Sequence, residues 1–455
     1  MLGEGLLNPR PANESGSPLP NQCRGTGGRR TFPESPSIMR GMIDPPNARH
    51  SPEGEREKAV RALLSAGAVR ERAHEMLDLA VDGRVDGWAV DFTRLDAVAD
   101  LVAAVTRERF PDLAIPYHAR WRHFVAGEPV LPEGDRQARA RAAFDLVILS
   151  VLLDAGAGPS WIYTDATTAR MYNRSEGLAV ASQRLFESGA FSGDPGAPLR
   201  ADGDVLASLS PDTLARGFLV SDANPLVGLD GRAALLRRLG QQILARPDLF
   251  ATAGEPRPGG LYDILVAQAA GAPLPAPFIL ELLLEALGPI WADRLEIHGV
   301  RLGDCWRHPA LRRDDATDGL VPLHKLSQWL SYSLIEPLQW AGIEVVEIEG
   351  LTGLAEYRNG GLFVDMGVLA FSDPACADRS HQVSDPLIVA WRAMTVALLD
   401  RLAPLVRDRL GVTEARFPLP CMLEGGTWLA GRRVAAERRE GGGPPFNIIS
   451  DGTVF

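Results

Sequence analysis

This 455-residue chain predicts a mainly α-helical fold, a single large domain with a few short strands. Apolar residues recur at three- and four-residue spacing through most of the sequence after residue 52. Only two short stretches look like strands, and Gly/Pro clusters separate the periodic segments. Residues 1–52 have no such period. They are rich in Pro, Gly, Ser, Asn and Arg and carry too little apolar surface to offset chain entropy, so a disordered arm is expected. Met39 and Met42 inside it are alternative starts. The first helix spans Ala59–Val81, with Val60, Leu63, Leu64, Ala68, Met76, Leu77 and Ala80 on its apolar stripe. Arg136–Leu153 follows, ending in a nearly continuous apolar run. Further helices fit Ser175–Ser188, with Ser175 as N-cap, then Leu229–Leu244, Phe278–Leu287, Leu323–Ile335 and Pro386–Leu410, the last kinked at Pro404. Pro337 should stop or kink the helix before it. The strand candidates are Ile343–Glu349 and Leu362–Val368, the second entered through a turn at Asn359-Gly360-Gly361. No repeat occurs at solenoid periods. Residues 53–455 therefore read as one helical catalytic domain that includes an ordered C-terminal segment, 411–455. Its last residues, Val454 and Phe455, are apolar.

Composition narrows the function. The net charge is −11, and an acidic surface repels phosphodiester backbones, so no nucleic-acid partner is expected. No run approaches the ~18 apolar residues of a membrane span, so no membrane partner is expected either. The four cysteines, Cys23, Cys305, Cys376 and Cys421, are widely separated, which fits a reducing cytoplasm rather than a disulfide framework. The histidines show no metal-ligand spacing and no Gly-rich phosphate loop follows a strand, so neither a metal nor an organic cofactor is expected.

One residue stands out chemically. Of 47 basic residues only two are lysines, Lys58 and Lys325. Arginine thus serves wherever a solvated positive charge suffices. Lys58 lies in a charged run suited to a solvated first turn. Lys325 lies among aromatic and aliphatic residues, where a compact ammonium with a tunable pKa has a different use from a guanidinium. On a helix, Lys325, Gln328, Tyr332 and Glu336 share a face, with Trp329 beside them. That face suits a ligand better than bulk water.

Three further segments carry chemistry. Glu356, Tyr357 and Arg358 precede the Asn-Gly-Gly sequence and Asp365 follows in apolar surroundings, which raise carboxyl pKa values and make acids or bases. Asp154 ends a very apolar helix before a glycine turn, and either caps it or points into a pocket. Arg392 interrupts a buried-looking helix beside Trp391 and needs a protein carboxylate or an anionic ligand.

The stretches SVLLDAGAG (150–158), RSEGLAVASQRLF (174–186), NPLVGLDGRAALL (224–236), HKLSQWLSYSLIEPL (324–338), LTGLAEYRNGGL (351–362) and SDGTVF (450–455) resemble a family of unknown function tied to fungal and bacterial uracil degradation. The resemblance implies a pathway in which uracil becomes a nucleotide, its ring is opened, and a ribosyl-urea species is split to urea. A more distant likeness is to the queuosine-salvage N-glycosidases, whose helical fold resembles DNA glycosylases. Their Lys-x-x-Gln is similar to Lys325–Gln328, and their Leu-Thr-x-x-Ala-Asp-Tyr-Arg to Leu351–Arg358 with Glu356 for Asp. Their Glu-Ile-Arg-Ala is similar to Ala390–Ala393, with Ala390 in place of the acid. That departure puts substrate contacts at Ala390 in doubt. The resemblance implies an N-ribohydrolase for a ribosyl-urea nucleotide or similar small molecule. Glu356 would stabilise an oxocarbenium-like state and activate water. Lys325, Arg358 and Arg392 would hold ribose or phosphate, Gln328, His324 and Arg174 would also contact substrate, and Trp329 and Tyr332 would wall the pocket. Asp154 or Asp365 would protonate or orient the leaving group. The alternatives are an amidohydrolase that opens a uracil-derived ring with the same carboxylates, and a non-catalytic binding protein for such an intermediate.

Overall fold

The computed structural model describes residues 52–251 and 254–449. The expected arm and the final six residues lie outside the described residues. The fold is mainly α, with strands of two or three residues that meet only in pairs. The principal helices are α1 (Pro52–Arg61), α2 (Ala66–Val81), α3 (Leu95–Arg109), α4 (Arg136–Leu152), α5 (Arg174–Glu187), α6 (Leu229–Ala245), α7 (Gly260–Ala269), α8 (Ala276–Leu287), α9 (Lys325–Trp340), α10 (Tyr357–Asp365), α11 (Pro386–Leu410) and α12 (Trp428–Arg438). The centre is α11, fully buried from Ile388 to Leu399 and packed against α2, α3 and α10. A second layer joins α4 to α5 and α9. No helix among the described residues is long and apolar enough to cross a membrane.

Several elements differ from the sequence reading. The expected helix 59–81 is two helices, broken after Arg61, because Ser65 caps a new start by accepting from the Ala68 amide at 3.2 Å. The helix over Leu95–Arg109 was not marked by the pattern. Asn173, not Ser175, is the N-cap residue of α5; Ser175 sits in its first turn with its hydroxyl turned to Asp154. The strand expected at Ile343–Glu349 shrinks to Val345–Val346, paired in parallel with Leu274–Pro275.

Two corrections shape the site. Pro337 neither stops α9 nor ends it, since the helix continues to Trp340. Proline removes the amide that Ser333 O would accept, and the Trp121 indole donates to that carbonyl instead, at 2.8 Å. The strand expected at Leu362–Val368 and the turn before it are instead helix α10 and its end. Glu356 caps α10, its carboxylate accepting from the amides of Arg358 (2.8 Å) and Asn359 (2.6 Å). The glycines serve close packing: a Cβ on Gly360 would lie 2.5 Å from Trp391 Cζ2.

The C-terminal segment packs on the domain as far as it is described. Asn447–Ile449 pairs in parallel with Ser380–Gln382. Phe446 is buried against Trp391, with ring centroids 4.6 Å apart, and against Phe371 at 5.2 Å.

Candidate functional site

The first turns of α5, α9 and α10 supply Ser175, Lys325 and the Glu356–Arg358 segment, and the end of α4 supplies Asp154. Helix N-termini carry partial positive charge, so this convergence favours negative charge in a ligand. Lys325 reaches its place because Asp304 anchors the start of α9. Asp304 accepts from the Lys325 amide at 3.0 Å, and His324 just before it adopts the left-handed conformation, with φ of 46°.

The Lys325 ammonium faces carboxylates without touching them. Among the described residues none lies within the 4.0 Å of an ion pair with it. Its Nζ stands 5.7 Å from the centre of the Trp329 ring. Burial pushes the Lys325 pKa down, while Glu356 and Asp154 pull it back. Burial pushes the Glu356 carboxyl up, opposed by Lys325 and by the amides of Arg358 and Asn359. An amine lowered and an acid raised, each acting on the other's charge, are perturbations typical of functional groups.

Asp154 is held rigidly. Both its oxygens accept from the Ser175 hydroxyl at 2.8 Å, and Arg120 Nη1 stands 2.9 Å away. Burial raises its pKa against the pull of Arg120, Ser175 and Lys325. Arg120 is fully buried, donates from Nε to Ser150 Oγ at 2.7 Å, and lies 5.6 Å from the Trp329 ring. The sequence reading missed Arg120 and Ser175. The dense run Tyr117–Phe124, with two histidines, two arginines and a tryptophan, was the available signal.

The other expected site residues divide. The Trp329 ring lies 5.7 Å from Lys325 Nζ and 5.6 Å from the Arg120 guanidinium, and Gln328 accepts from the Thr352 amide at 3.3 Å. Four buried donors on the surrounding elements have no protein acceptor among the described residues: Arg120 Nη2, Gln328 Nε2, Trp329 Nε1 and Arg358 Nε. Such donors call for acceptors. Arg358 stacks over Tyr357 and donates to Gly442 O at 3.1 Å, and Arg174 donates to Gly441 O at 3.1 Å.

Four residues do not reach the site. Tyr332 is core, its hydroxyl donating to Thr352 O at 2.9 Å, so it walls nothing. His324 is buried behind α9 on Leu63 O, and burial lowers its pKa. Arg392 is committed to a protein carboxylate, Asp304, through two bonds of 2.8 Å, rather than to a ligand. Burial opposes the Asp304 charge, yet Arg392, Trp306 and the Lys325 amide hold it well below the usual carboxylate range. Asp365 lies nine residues along α10 from Glu356, about 13 Å at helical rise, and is doubly paired to Arg439. Asp304 and His324 also line a solvent-open depression with Leu64, Leu284 and Leu302, but Lys325, Glu356 and Asp154 are not among its lining. Among the described residues no group of three or more His, Cys, Asp or Glu is placed to hold a metal ion.

With this geometry fixed, comparison with known proteins places the chain. The model of the family described as "Protein of unknown function (DUF1688)" matches residues 62–455. The chain belongs to this family. It is 41% identical over 418 residues to "Protein urg3" of Schizosaccharomyces pombe, covering 88% of this chain and 99% of the relative. It is 37% identical over 441 residues to "Uracil catabolism protein 4" of Lachancea kluyveri, again over 88% of this chain and 99% of the relative.

Proposed function

We propose that this protein acts in uracil degradation as an N-ribohydrolase on a ribosyl-urea nucleotide or a similar nucleoside-like intermediate. The names of its relatives support the pathway. The observation that carries the reaction is the buried Glu356 carboxylate within electrostatic reach of a Lys325 ammonium that, among the described residues, has no ion-pair partner. Cleavage of an N-glycosidic bond builds positive charge on the sugar ring, and a carboxylate at that position stabilises it and takes a proton from the attacking water. Lys325, Arg358 and the unpartnered donors of Arg120, Trp329 and Gln328 suit the oxygens of a ribose or its phosphate. Asp154 orients Arg120 and Ser175 at the other edge.

The test is incubation of the purified protein with ribosyl-urea phosphate while urea release is followed. Release with turnover supports the hydrolase. A different product from a uracil-derived substrate supports a ring-opening amidohydrolase, and tight binding without product supports a carrier.

A further inference from the structure

Between α12 and the buried Phe446 runs Glu440–Pro445, a segment fixed at its two ends and lightly held in its middle. At one end Arg439 is doubly bonded to Asp365, at 2.7 and 2.5 Å. At the other, Phe446 packs on Trp391 and Phe371. Between these anchors Glu440, Gly441 and Pro444 are exposed, and a Cβ on Gly441 or Gly443 would meet no atom within 4 Å. Gly441 and Gly442 bend the chain at φ of 73° and 59°, where glycine alone is at ease. A small depression separates the segment from α10 and α12, lined by Tyr357, Arg358, Gly431, Ala435, Gly443 and Pro445.

Two arginines tie the segment down, and each adjoins a carboxylate of the candidate site. Arg358 Nη1 donates to Gly442 O at 3.1 Å, while the Arg358 amide donates to Glu356 at 2.8 Å. Arg174 Nη2 donates to Gly441 O at 3.1 Å, and its chain neighbour Ser175 donates to Asp154 at 2.8 Å. Burial pushes the Tyr357 pKa up and both guanidiniums pull it back, so the two latches converge on one phenol. Among the described residues neither arginine forms an ion pair, so each guanidinium is held by an uncharged oxygen. The buried Arg358 Nε has no acceptor among them at all. Arg174 also sits in the left-handed region, with φ of 51°, a conformation that persists in a non-glycine residue only where its surroundings enforce it.

We propose that Glu440–Pro445 is a strap over the entrance to the site, held shut by Arg174 and Arg358 and released when the phosphate of a substrate takes their donors; this rests on the N-ribohydrolase reading. A phosphate carries charge and accepts from both arms of a guanidinium, whereas each glycine carbonyl is neutral and accepts from one, so the phosphate displaces it. The arginines stand in the first turns of α5 and α10, whose positive ends favour the same anion. Release does not disturb the carboxylates. The Arg358 amide stays on Glu356 and the Ser175 hydroxyl on Asp154 while the two guanidiniums change partner. Because Arg439 and Phe446 stay anchored, the strap lifts as a flap and the C-terminal segment remains docked.

Glu440 supplies the reporter, since a glutamate-specific protease reaches the Glu440–Gly441 bond when the strap has left its seat. The full chain is digested and release of residues 441–455 is followed by mass, with ribose 5-phosphate as the probe and ribose as the uncharged control. Cleavage tracks the population of the open form, and each latch is a hydrogen bond from a charged group, so ribose 5-phosphate should speed release on the order of tenfold or more. Ribose should leave it unchanged. R174Q cuts one latch and should speed release on the order of tenfold with no ligand present, and ribose 5-phosphate should then add less than it does in the parent. Unchanged or slower release from the parent with ribose 5-phosphate overturns the strap, as does equal acceleration by ribose or an R174Q chain cut at the parental rate. Urea release from ribosyl-urea phosphate is measured on the same protein. A parent that releases urea but whose cleavage ignores ribose 5-phosphate overturns the strap alone; a parent that releases none overturns the N-ribohydrolase reading, and the strap's role with it.

Discussion

Two buried ionic groups lie side by side at the start of α9, and they are built differently. Asp304 and Arg392 close on each other through two bonds of 2.8 Å, and Trp306 and the Lys325 amide take up the remaining capacity of the carboxylate. Lys325 and Glu356, one step further on, influence each other electrostatically but do not form an ion pair. A closed pair is a finished piece of scaffold. An open pair surrounded by unpartnered donors is completed by something else. The difference teaches that in this core a buried charge alone is not a sign of a site; the state of its partnership is.

Breaking the closed pair should have the largest effect. Arg392→Ala leaves Asp304 buried without its guanidinium and should cost about 3–5 kcal/mol of stability, read by chemical denaturation. If stability is unchanged, the pair is not the scaffold described. Breaking the open pair should instead spare the fold. Glu356→Gln keeps size and much of the capping capacity, and should lower turnover on the order of 10²–10³ with a small change in melting temperature. The reverse pattern, an unstable protein with normal turnover per folded molecule, would make Glu356 only a helix cap.

Lys325→Arg sharpens the comparison further. Arginine is used almost everywhere else in this chain, so a drop in turnover on the order of tenfold or more would show that a compact ammonium is required. Turnover equal to the parent would make the lysine incidental. The pH profile should carry a smaller signature. Because burial raises the Glu356 pKa, the acid limb of kcat/KM should lie above the ordinary glutamate range. Lys325→Met removes the cation that pulls that pKa down, so the limb should move further up; a shift downward contradicts the pairing. The smallest expected effect is that of the N-terminal arm. A chain starting at Met42 should match the parent in melting temperature and turnover, and an unfolded product would refute the boundary read from composition.

The sequence was most legible where local rules act alone. Helices α4, α5, α6, α8 and α11 follow apolar spacing to within a few residues, because their buried faces are continuous stripes. Lys325 was visible because lysine is nearly absent from the chain. Helix α10 was not visible, since Leu362, Phe363 and Val364 read as a strand and Gly360-Gly361 as a turn. Gly360 is set by the approach of Trp391 from another helix and Gly361 lies against Pro445, contacts that no local pattern encodes. Arg120 was hidden for the opposite reason to Lys325: it is one arginine among many, and its importance comes from being wholly buried beside Asp154. Arg392 drew attention by its apolar setting, but the identity of its partner depended on an aspartate 88 positions away.

The indole of Trp121 reaches Ser333 O across 212 positions of sequence and stands in for the amide that Pro337 lacks. The final turn of α9 is therefore not a local structure. In a peptide of residues 325–340 only water would be left to bond that carbonyl, and its helicity should decay toward Pro337. In the protein, the helix that begins at Lys325 is completed only when the segment bearing Trp121 has docked. Its length is a product of tertiary assembly rather than a precondition for it.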